Sequence, residues 1–245
     1  GIAEMADSAP SAIARAVREA IASDPVSAFG GIIAINKEFN GQCVEALGEL
    51  FVECIAAPSF SDEALSLLGA RKNLRLLSMG QNGVERARKD TLEHRSVLGG
   101  MLVQEIDHVS ENPEDWHSVT RRKPDEEESA VLAFAWKACA AVRSNAIVLA
   151  HSVPGGHATS GIGGGQPNRV DSNMLAVKRA GDRARGSVLA SDAFVPFPDS
   201  VEVAAEAGIT AIIQPGGSIR DRQSLEAADK AGLAMVATGH RHFRH

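Results

Sequence analysis

The sequence has too few cysteines, and too widely scattered, to form a frame. Cys43, Cys54 and Cys139 are odd in number and no two are in Cys-x-x-Cys spacing. That excludes a disulfide scaffold and a structural zinc site, and it suits the reduced thiols of a cytoplasmic protein. No apolar run approaches the ~20 residues of a membrane span, and no signal-peptide pattern opens the chain. His-x-Glu and Pro-Cys-x-x-Cys, which a zinc deaminase needs, are both missing. So are the Gly-x-Ser-x-Gly of elbow-type serine hydrolases and the Gly-Lys-Ser/Thr of a P-loop. No excess of basic residues is present either. A net charge of −6 argues against nucleic acid as a partner. The chain opens on Gly1 rather than Met, which fits either a removed initiator or a fragment.

What is present is ordinary in bulk and patterned in detail. A hydrophobic content of 44% and 245 residues allow one large domain or two modest ones. Helical and strand patterns alternate. Ser8 to Ala22 reads as a helix capped by Ser8, Gly31 to Ile35 as a buried strand, Asn40 to Val52 as a helix and Cys54 to Ala57 as a strand. Ser61 caps the next helix, and Asn73 to Ser78 returns as a strand. Residues 80–95 and 105–128 are polar and read as loops around a subdomain boundary. The acidic run Asp125 to Glu128 opens a helix to about Val142, with Trp136 on its core face. Then follow a strand at Ala146 to Ala150, a glycine-rich loop at 155–165, a helix to about Ala180 and a strand at Ser187 to Ala190. Helix Val201 to Ala207, strand Ile209 to Ile213, helix Asp221 to Ala231 and strand Leu233 to Ala237 complete the series. This rhythm predicts an α/β fold of mixed sheets with flanking helices.

Several segments have bland and functional readings side by side. Ser160-Gly-Ile-Gly-Gly-Gly-Gln166 departs from the dinucleotide fingerprint at its sixth position and reads as a flexible turn or a ligand-contacting loop. Ser218 and Asp221 have capping-box spacing, with an anion site at that helix start as the alternative. Phe29, beside paired glycines, either plugs the core or lines an approach to a ligand. Asn145 is either a turn residue or an amide donor to a developing oxyanion. Glu53 stands inside an apolar stretch, as a solvent-facing strand end or a site carboxylate. His94, His108, His117, His151 and His157 read as solvated. The loop Ser191-Asp-Ala-Phe-Val-Pro-Phe-Pro-Asp199 and the end Arg241-His-Phe-Arg-His245 together suggest a pocket for a flat, anionic ligand.

Taken in order, Asp24-Pro-Val-Ser-Ala-Phe-Gly-Gly, Ser144-Asn-Ala-Ile-Val, Gly161-Ile-Gly-Gly-Gly-Gln166, Ser191-Asp-Ala-Phe-Val-Pro-Phe197, Ile213-Gln-Pro-Gly-Gly-Ser-Ile-Arg-Asp221 and the Arg-His-Phe-Arg-His end resemble one family. It is the formyltransferase portion of the enzymes that join aminoimidazole-carboxamide-ribonucleotide (AICAR) formyltransferase to IMP cyclohydrolase, and the resemblance covers essentially the whole chain. It implies two cytidine-deaminase-like subdomains without zinc, here at 1–118 (truncated at its N-terminal end) and 119–245, and a cytoplasmic homodimer with shared active sites. The implied reaction moves a formyl group from the co-substrate 10-formyltetrahydrofolate to the 5-amino group of AICAR in purine biosynthesis. A structural potassium ion is compatible with it.

The resemblance assigns Asn145 as the catalytic amide. It gives AICAR contacts to Phe29, Gly30, Glu53, Ile162, Arg241 and Phe243, with Phe29 and Gly30 reaching a partner's nucleotide site and Arg241 gripping the phosphate. Folate contacts fall to Phe194, Pro196, Phe197, Asp199 and Ser200. The family has a Phe and an Arg where this chain has Val195 and Pro198, which bears on one polar folate contact. In the family, a Lys-His pair supplying charge stabilisation and proton acceptance precedes the segment matching Gly1. The expectation is that residues 1–245 alone hold most of the binding site and turn over very slowly. Alternatives are a non-catalytic nucleotide- or folate-binding module with an inherited pocket and, from the glycine segment alone, a nicotinamide-dependent oxidoreductase.

Overall fold

The computed structural model describes residues 1–7, 9–83, 92–107, 112–195 and 198–244. Ser8, the expected cap of the first helix, and His108 lie outside the described residues. Two compact units divide the chain. One comprises Gly1–Asp7, Ala16–Pro25 and Glu111–His245, and the other Ser8–Arg15 and Val26–Ser110. Helix α1, Pro10–Ser23, contributes to both.

In the larger unit, strands β1 (Ala3–Met5), β7 (His117–Ser118), β8 (Ile147–Val153), β9 (Gly156–Gly163), β10 (Val188–Ser191), β11 (Ala211–Gln214) and β12 (Ala234–Ala237) form one sheet. Its order is β1-β9-β8-β10-β11-β12-β7. Strands β10, β11 and β12 are parallel, while β9, β8 and β10 pair antiparallel. Alternate residues of the central strands face opposite layers, as strand geometry requires. Val148, Ala150, Val188, Ala190, Ala211, Ile213, Ala234 and Val236 pack on helix α5 (Glu126–Ala140), whose Trp136 is fully buried. Ile147, Leu149, Leu189, Ile212 and Met235 face helices α6 (Arg169–Ala180), α7 (Pro198–Glu206) and α8 (Asp221–Ala231). The result is a three-layer α/β/α arrangement.

Local chemistry sets the helix starts. Asp125 and Glu128 form a complete capping box on α5: the Glu128 N–H donates to Asp125 Oδ1 at 2.8 Å and the Asp125 N–H to Glu128 Oε2 at 3.0 Å. Asn168 caps α6 through Oδ1, which accepts from the Asp171 N–H at 2.8 Å. At α8 the expected box forms by half. Asp221 Oδ2 accepts from the N–H groups of Gly217 and Ser218, but the Ser218 hydroxyl accepts from Arg220 rather than Asp221.

Of the glycine-rich segment expected as a loop, Gly156–Gly163 form strand β9, while Gly164, Gly165 and Gln166 follow it outside any strand. The alternate glycines of β9 let α6 lie directly on the sheet. A β-carbon on Gly161 would sit 2.2 Å from the Ala176 carbonyl oxygen, and one on Gly163 would sit 1.9 Å from that of Ser172. Ser172, Ala176 and Ala180, four apart on α6, supply the small side chains opposite.

The smaller unit has a parallel sheet in the order β2 (Gly31–Ala34), β3 (Val52–Ala57), β4 (Arg75–Ser78), with helices α3 (Gly41–Leu47) and α4 (Asp62–Leu68). A one-turn helix, α2 (Pro25–Ala28), precedes β2. Asn40 and Ser61 cap α3 and α4 through their side chains, the second as expected. The helix expected to reach Val52 stops at Leu47, because Val52 opens β3. Residues 92–95, expected in a loop, lie in a hairpin of β5 (Leu92–Val97) and β6 (Gly100–Glu105). Among the described residues no helix is long and apolar enough to cross a membrane.

Candidate functional site

The start of β8, the ends of β9, β10, β11 and β12, and the C-terminal tail all lie at one edge of the larger sheet, the carboxyl edge of its parallel strands. Ligands of open α/β sheets favour that edge. Asn145 stands there, just ahead of β8 and partly exposed. The Ser144–Asn145 peptide is cis. Its Nδ2 donates to the carbonyls of Gln166 at 2.9 Å and Pro167 at 3.2 Å, and Oδ1 accepts from Arg169 Nη2 at 2.8 Å. The Asn145 carbonyl accepts from the Ser172 hydroxyl at 2.8 Å. Both kinds of polar atom on the side chain are therefore held, which fixes the amide's orientation.

Arg169 is the first residue of α6, where a cation meets the positive end of the helix dipole. The carboxylate of Asp192 offsets this. Asp192 follows β10, is fully buried, and forms an ion pair with Arg169 Nη1 and a hydrogen bond with the Ser144 hydroxyl. Arg169 Nη1 also donates to the Ser191 hydroxyl at 3.0 Å.

The tail is tied to the same residues. The His242 N–H donates to the Asp192 carbonyl at 3.1 Å, and the Ser144 N–H to the Arg244 carbonyl at 2.9 Å. His242 is buried against Trp136, ring centroids 4.8 Å apart. In this extended segment Arg241 and Phe243 therefore project away from the core, and the Arg241 guanidinium lies 5.3 Å from the Phe243 ring centroid. Within the tail, read from sequence as part of a pocket for an anionic ligand, His242 is a buried anchor while Arg241, Phe243 and Arg244 are exposed.

The other expected residues fall as follows. Ile162, on β9, packs partly buried against the sheet core, and its carbonyl accepts from Arg179 at 3.5 Å. Phe194 is partly exposed, whereas Val195 is buried in the core with its backbone held by Gln214 Oε1 at 2.7 Å and the Ser224 hydroxyl at 2.6 Å. Asp199 is exposed and accepts from the Ser200 N–H, while buried Ser200 gives its carbonyl to Asn173. Pro196 and Phe197 lie outside the described residues. Phe29, Gly30 and Glu53 belong to the smaller unit. Phe29 does not plug a core: it is 70% exposed and tilts against Phe51, whose carbonyl accepts the Gly30 N–H at 2.8 Å. Glu53 faces solvent on β3, 3.7 Å from Arg75.

Of the histidines expected to be solvated, His94 and His117 are exposed. His151 and His157 are half-buried, and burial lowers the pKa of His151 from its ordinary value, with Arg183 adding to the effect. Among the described residues, no three His, Cys, Asp or Glu side chains gather as a metal centre. A cleft of ~210 Å³ at the opposite, amino edge of the parallel strands is lined by Asp125, Glu127, Glu128 and His151. Glu128 there is committed to a two-pronged pair with Arg122, both contacts 2.8 Å. That pair draws the Glu128 carboxyl down to about 2.

With this geometry in place, comparison with known proteins decides the family. Residues 2–179 match the family model described as AICARFT/IMPCHase bienzyme. The chain belongs to that family. The bifunctional purine biosynthesis protein PurH of Streptococcus pneumoniae serotype 19F (strain G54) is 53% identical over 224 residues, which cover 91% of this chain and 42% of that protein. PurH of strain TIGR4 gives the same figures, and PurH of strain ATCC 700669 is 52% identical over the same span. The chain thus spans about two fifths of the length of the curated relatives it matches. The AICARFT/IMPCHase family accounts for the mixed α/β architecture of sheets flanked by helices.

Arg169, Asp192 and His242 escaped the sequence reading as site residues. The first two are ordinary charged residues in sequence, and only the fold brings Arg169 onto Asn145 and Asp192 onto Arg169 and Ser144. Asp192 carried a usable signal, a lone carboxylate between a buried strand and an aromatic loop, but the Phe residues beside it dominated the reading.

Proposed function

We propose that this chain supplies the formyltransferase chemistry of its family, moving the formyl group of 10-formyltetrahydrofolate to the 5-amino group of AICAR in the cytoplasm. The observation that supports this most is the shared anchoring of Asn145 and the tail: Asp192 and Ser144 hold the tail backbone, and Asp192 holds the amide through Arg169. In the reaction the amine nitrogen attacks the formyl carbon and charge builds on the formyl oxygen. The bond from carbon to the folate N10 then breaks, N10 gains a proton and the amine loses one. Of the two Asn145 donor contacts, the longer, to the carbonyl of exposed Pro167 at 3.2 Å, is the one we assign to the formyl oxygen. The Gln166 contact and Arg169 keep the amide aimed. A pre-aimed donor of this kind contributes about 10²–10³ in rate.

Arg241 is assigned to the AICAR phosphate, where a guanidinium fork matches the oxygens, and Phe243 to the heterocycle. Ile162 offers its backbone near the reacting groups. Phe194, Pro196, Phe197, Asp199 and Ser200 are assigned to the folate. We assign no residue of this chain to proton transfer and none to a potassium ion.

The homodimer belongs to the same proposal. Sheet β2-β3-β4 is wholly parallel, and such sheets are covered on both faces. Here Ile33, Ile55 and Leu76 share one face, while the other leaves Ile32 74% and Leu77 56% exposed. A second copy covering that face would use the exposed Phe29, with Gly30 and Glu53, in AICAR recognition. Steady-state formyl transfer from 10-formyltetrahydrofolate to AICAR, wild type beside Asn145→Ala, tests the reading. We expect transfer by the wild type, slower by about 10²-fold or more in Asn145→Ala. A wild type that binds AICAR and folate but transfers nothing would refute it.

A further inference from the structure

Among the described residues, Asp192 is the only acidic residue that is buried. An unpaired carboxylate in that position would be costly, so its partners reveal what it is for. One oxygen takes Arg169 Nη1 and the other the Ser144 hydroxyl. Arg169 in turn donates through its second terminal nitrogen to Asn145 Oδ1 at 2.8 Å. Ser144 is the residue bonded to Asn145 in the chain. Asp192 therefore grips Asn145 from two directions, through the backbone before it and through the side chain beyond it.

Without the carboxylate, the guanidinium keeps only neutral acceptors, the Ser191 hydroxyl and Asn145 Oδ1. It sits in the first turn of α6, where the helix dipole repels it, and its contact with Asn145 is a single neutral acceptor. Loss of that contact frees the amide to flip and lets Nδ2 leave the Gln166 and Pro167 carbonyls. The same carboxylate residue also fixes the tail, since its main-chain carbonyl accepts from His242 between Arg241 and Phe243.

We infer that Asp192 is a positioning residue that sets the orientation of the Asn145 amide through Arg169 and Ser144. As a statement about the reaction this rests on the formyl-transfer reading; as a statement about the amide it stands on geometry. The experiment uses ¹⁵N-labelled protein, residues 1–245, with the Asn145 side-chain signals assigned by their loss in Asn145→Ala. In the wild type the two Nδ2 protons give separate, exchange-protected signals. Asp192→Asn, similar in shape but uncharged, is expected to lower that protection about tenfold or more while the backbone spectrum stays folded, and Arg169→Lys to do the same. Ser144→Ala, which removes one grip only, gives a smaller loss and serves if Asp192→Asn does not fold. Unchanged Asn145 signals in a folded Asp192→Asn or Ser144→Ala protein overturn the inference.

Calorimetric titration with AICAR on the same proteins separates the two claims. Wild type that binds no AICAR sinks the functional reading and leaves the amide result to decide the positioning. Wild type that binds, with Asp192→Asn binding about tenfold more weakly and showing a loosened amide, supports both. Binding by Asp192→Asn with wild-type affinity and a wild-type amide signature overturns the positioning alone.

Discussion

At the scale of single residues, the proposed formyl transfer depends on one amide and on the groups that aim it. Asn145→Ala removes the donor and leaves Arg169 facing an empty acceptor position. We expect it to lower kcat for formyl transfer by about 10²–10³ with KM for AICAR within a few-fold, measured by steady-state kinetics. A second residue-scale prediction concerns Arg122 and Glu128, far from that chemistry. The folded-state pKa of Glu128 is drawn below its ordinary value to about 2 by the Arg122 hydrogen bonds. A depressed carboxylate stabilises the fold at pH above its unfolded value, and that contribution fades as pH falls from about 4.5 toward 2. Glu128→Gln should therefore lower the Tm at pH 6 and approach the wild-type Tm near pH 2, as thermal unfolding across pH would record. A constant difference at all pH values would contradict the assignment.

At the scale of elements, the informative feature is the close approach of α6 to β9. A run of glycines reads from sequence as a turn, since conformational freedom is what glycine most often supplies. Here the absent β-carbons provide room instead, and the sign lay in the pairing of alternate glycines, 161 and 163, with small residues spaced four apart on the following helix. Gly163→Ala places a methyl group on the Ser172 carbonyl, which belongs to the turn of α6 that holds Asn145. We expect a Tm lower by roughly 5–10 °C in thermal unfolding, an overpacking cost with no side chain able to yield. Elements with local signals were the ones legible in advance. Helix α8 was read at its observed bounds, Asp221–Ala231, and α5 at its acidic start, because caps and apolar periodicity are written in neighbouring residues. The hairpin β5-β6 was partly missed, since all of its residues are exposed and its apolar side chains follow no one-sided alternation. The site divides in the same way. Asn145, Arg241 and Phe243 stood out as types in unusual settings, whereas Asp192 and Arg169 acquire meaning only from partners 20 or more residues away.

At the scale of the whole molecule, two claims remain, assembly and ligand. The uncovered face of the parallel β2-β3-β4 sheet is where a second copy is expected. Leu77→Glu, on an exposed edge strand of that face, should shift the protein toward monomer in sedimentation velocity without changing its far-UV circular dichroism. A wild type that sediments as a monomer at every concentration would remove the proposed partner. The ligand claim is more central, and calorimetric titration of AICAR into residues 1–245, wild type beside Arg241→Ala, tests it most directly. The tail geometry predicts saturable binding by the wild type, weakened about tenfold or more when the exposed guanidinium is removed. No binding by the wild type, or the same affinity in both proteins, would contradict the assignment of this sheet edge to AICAR.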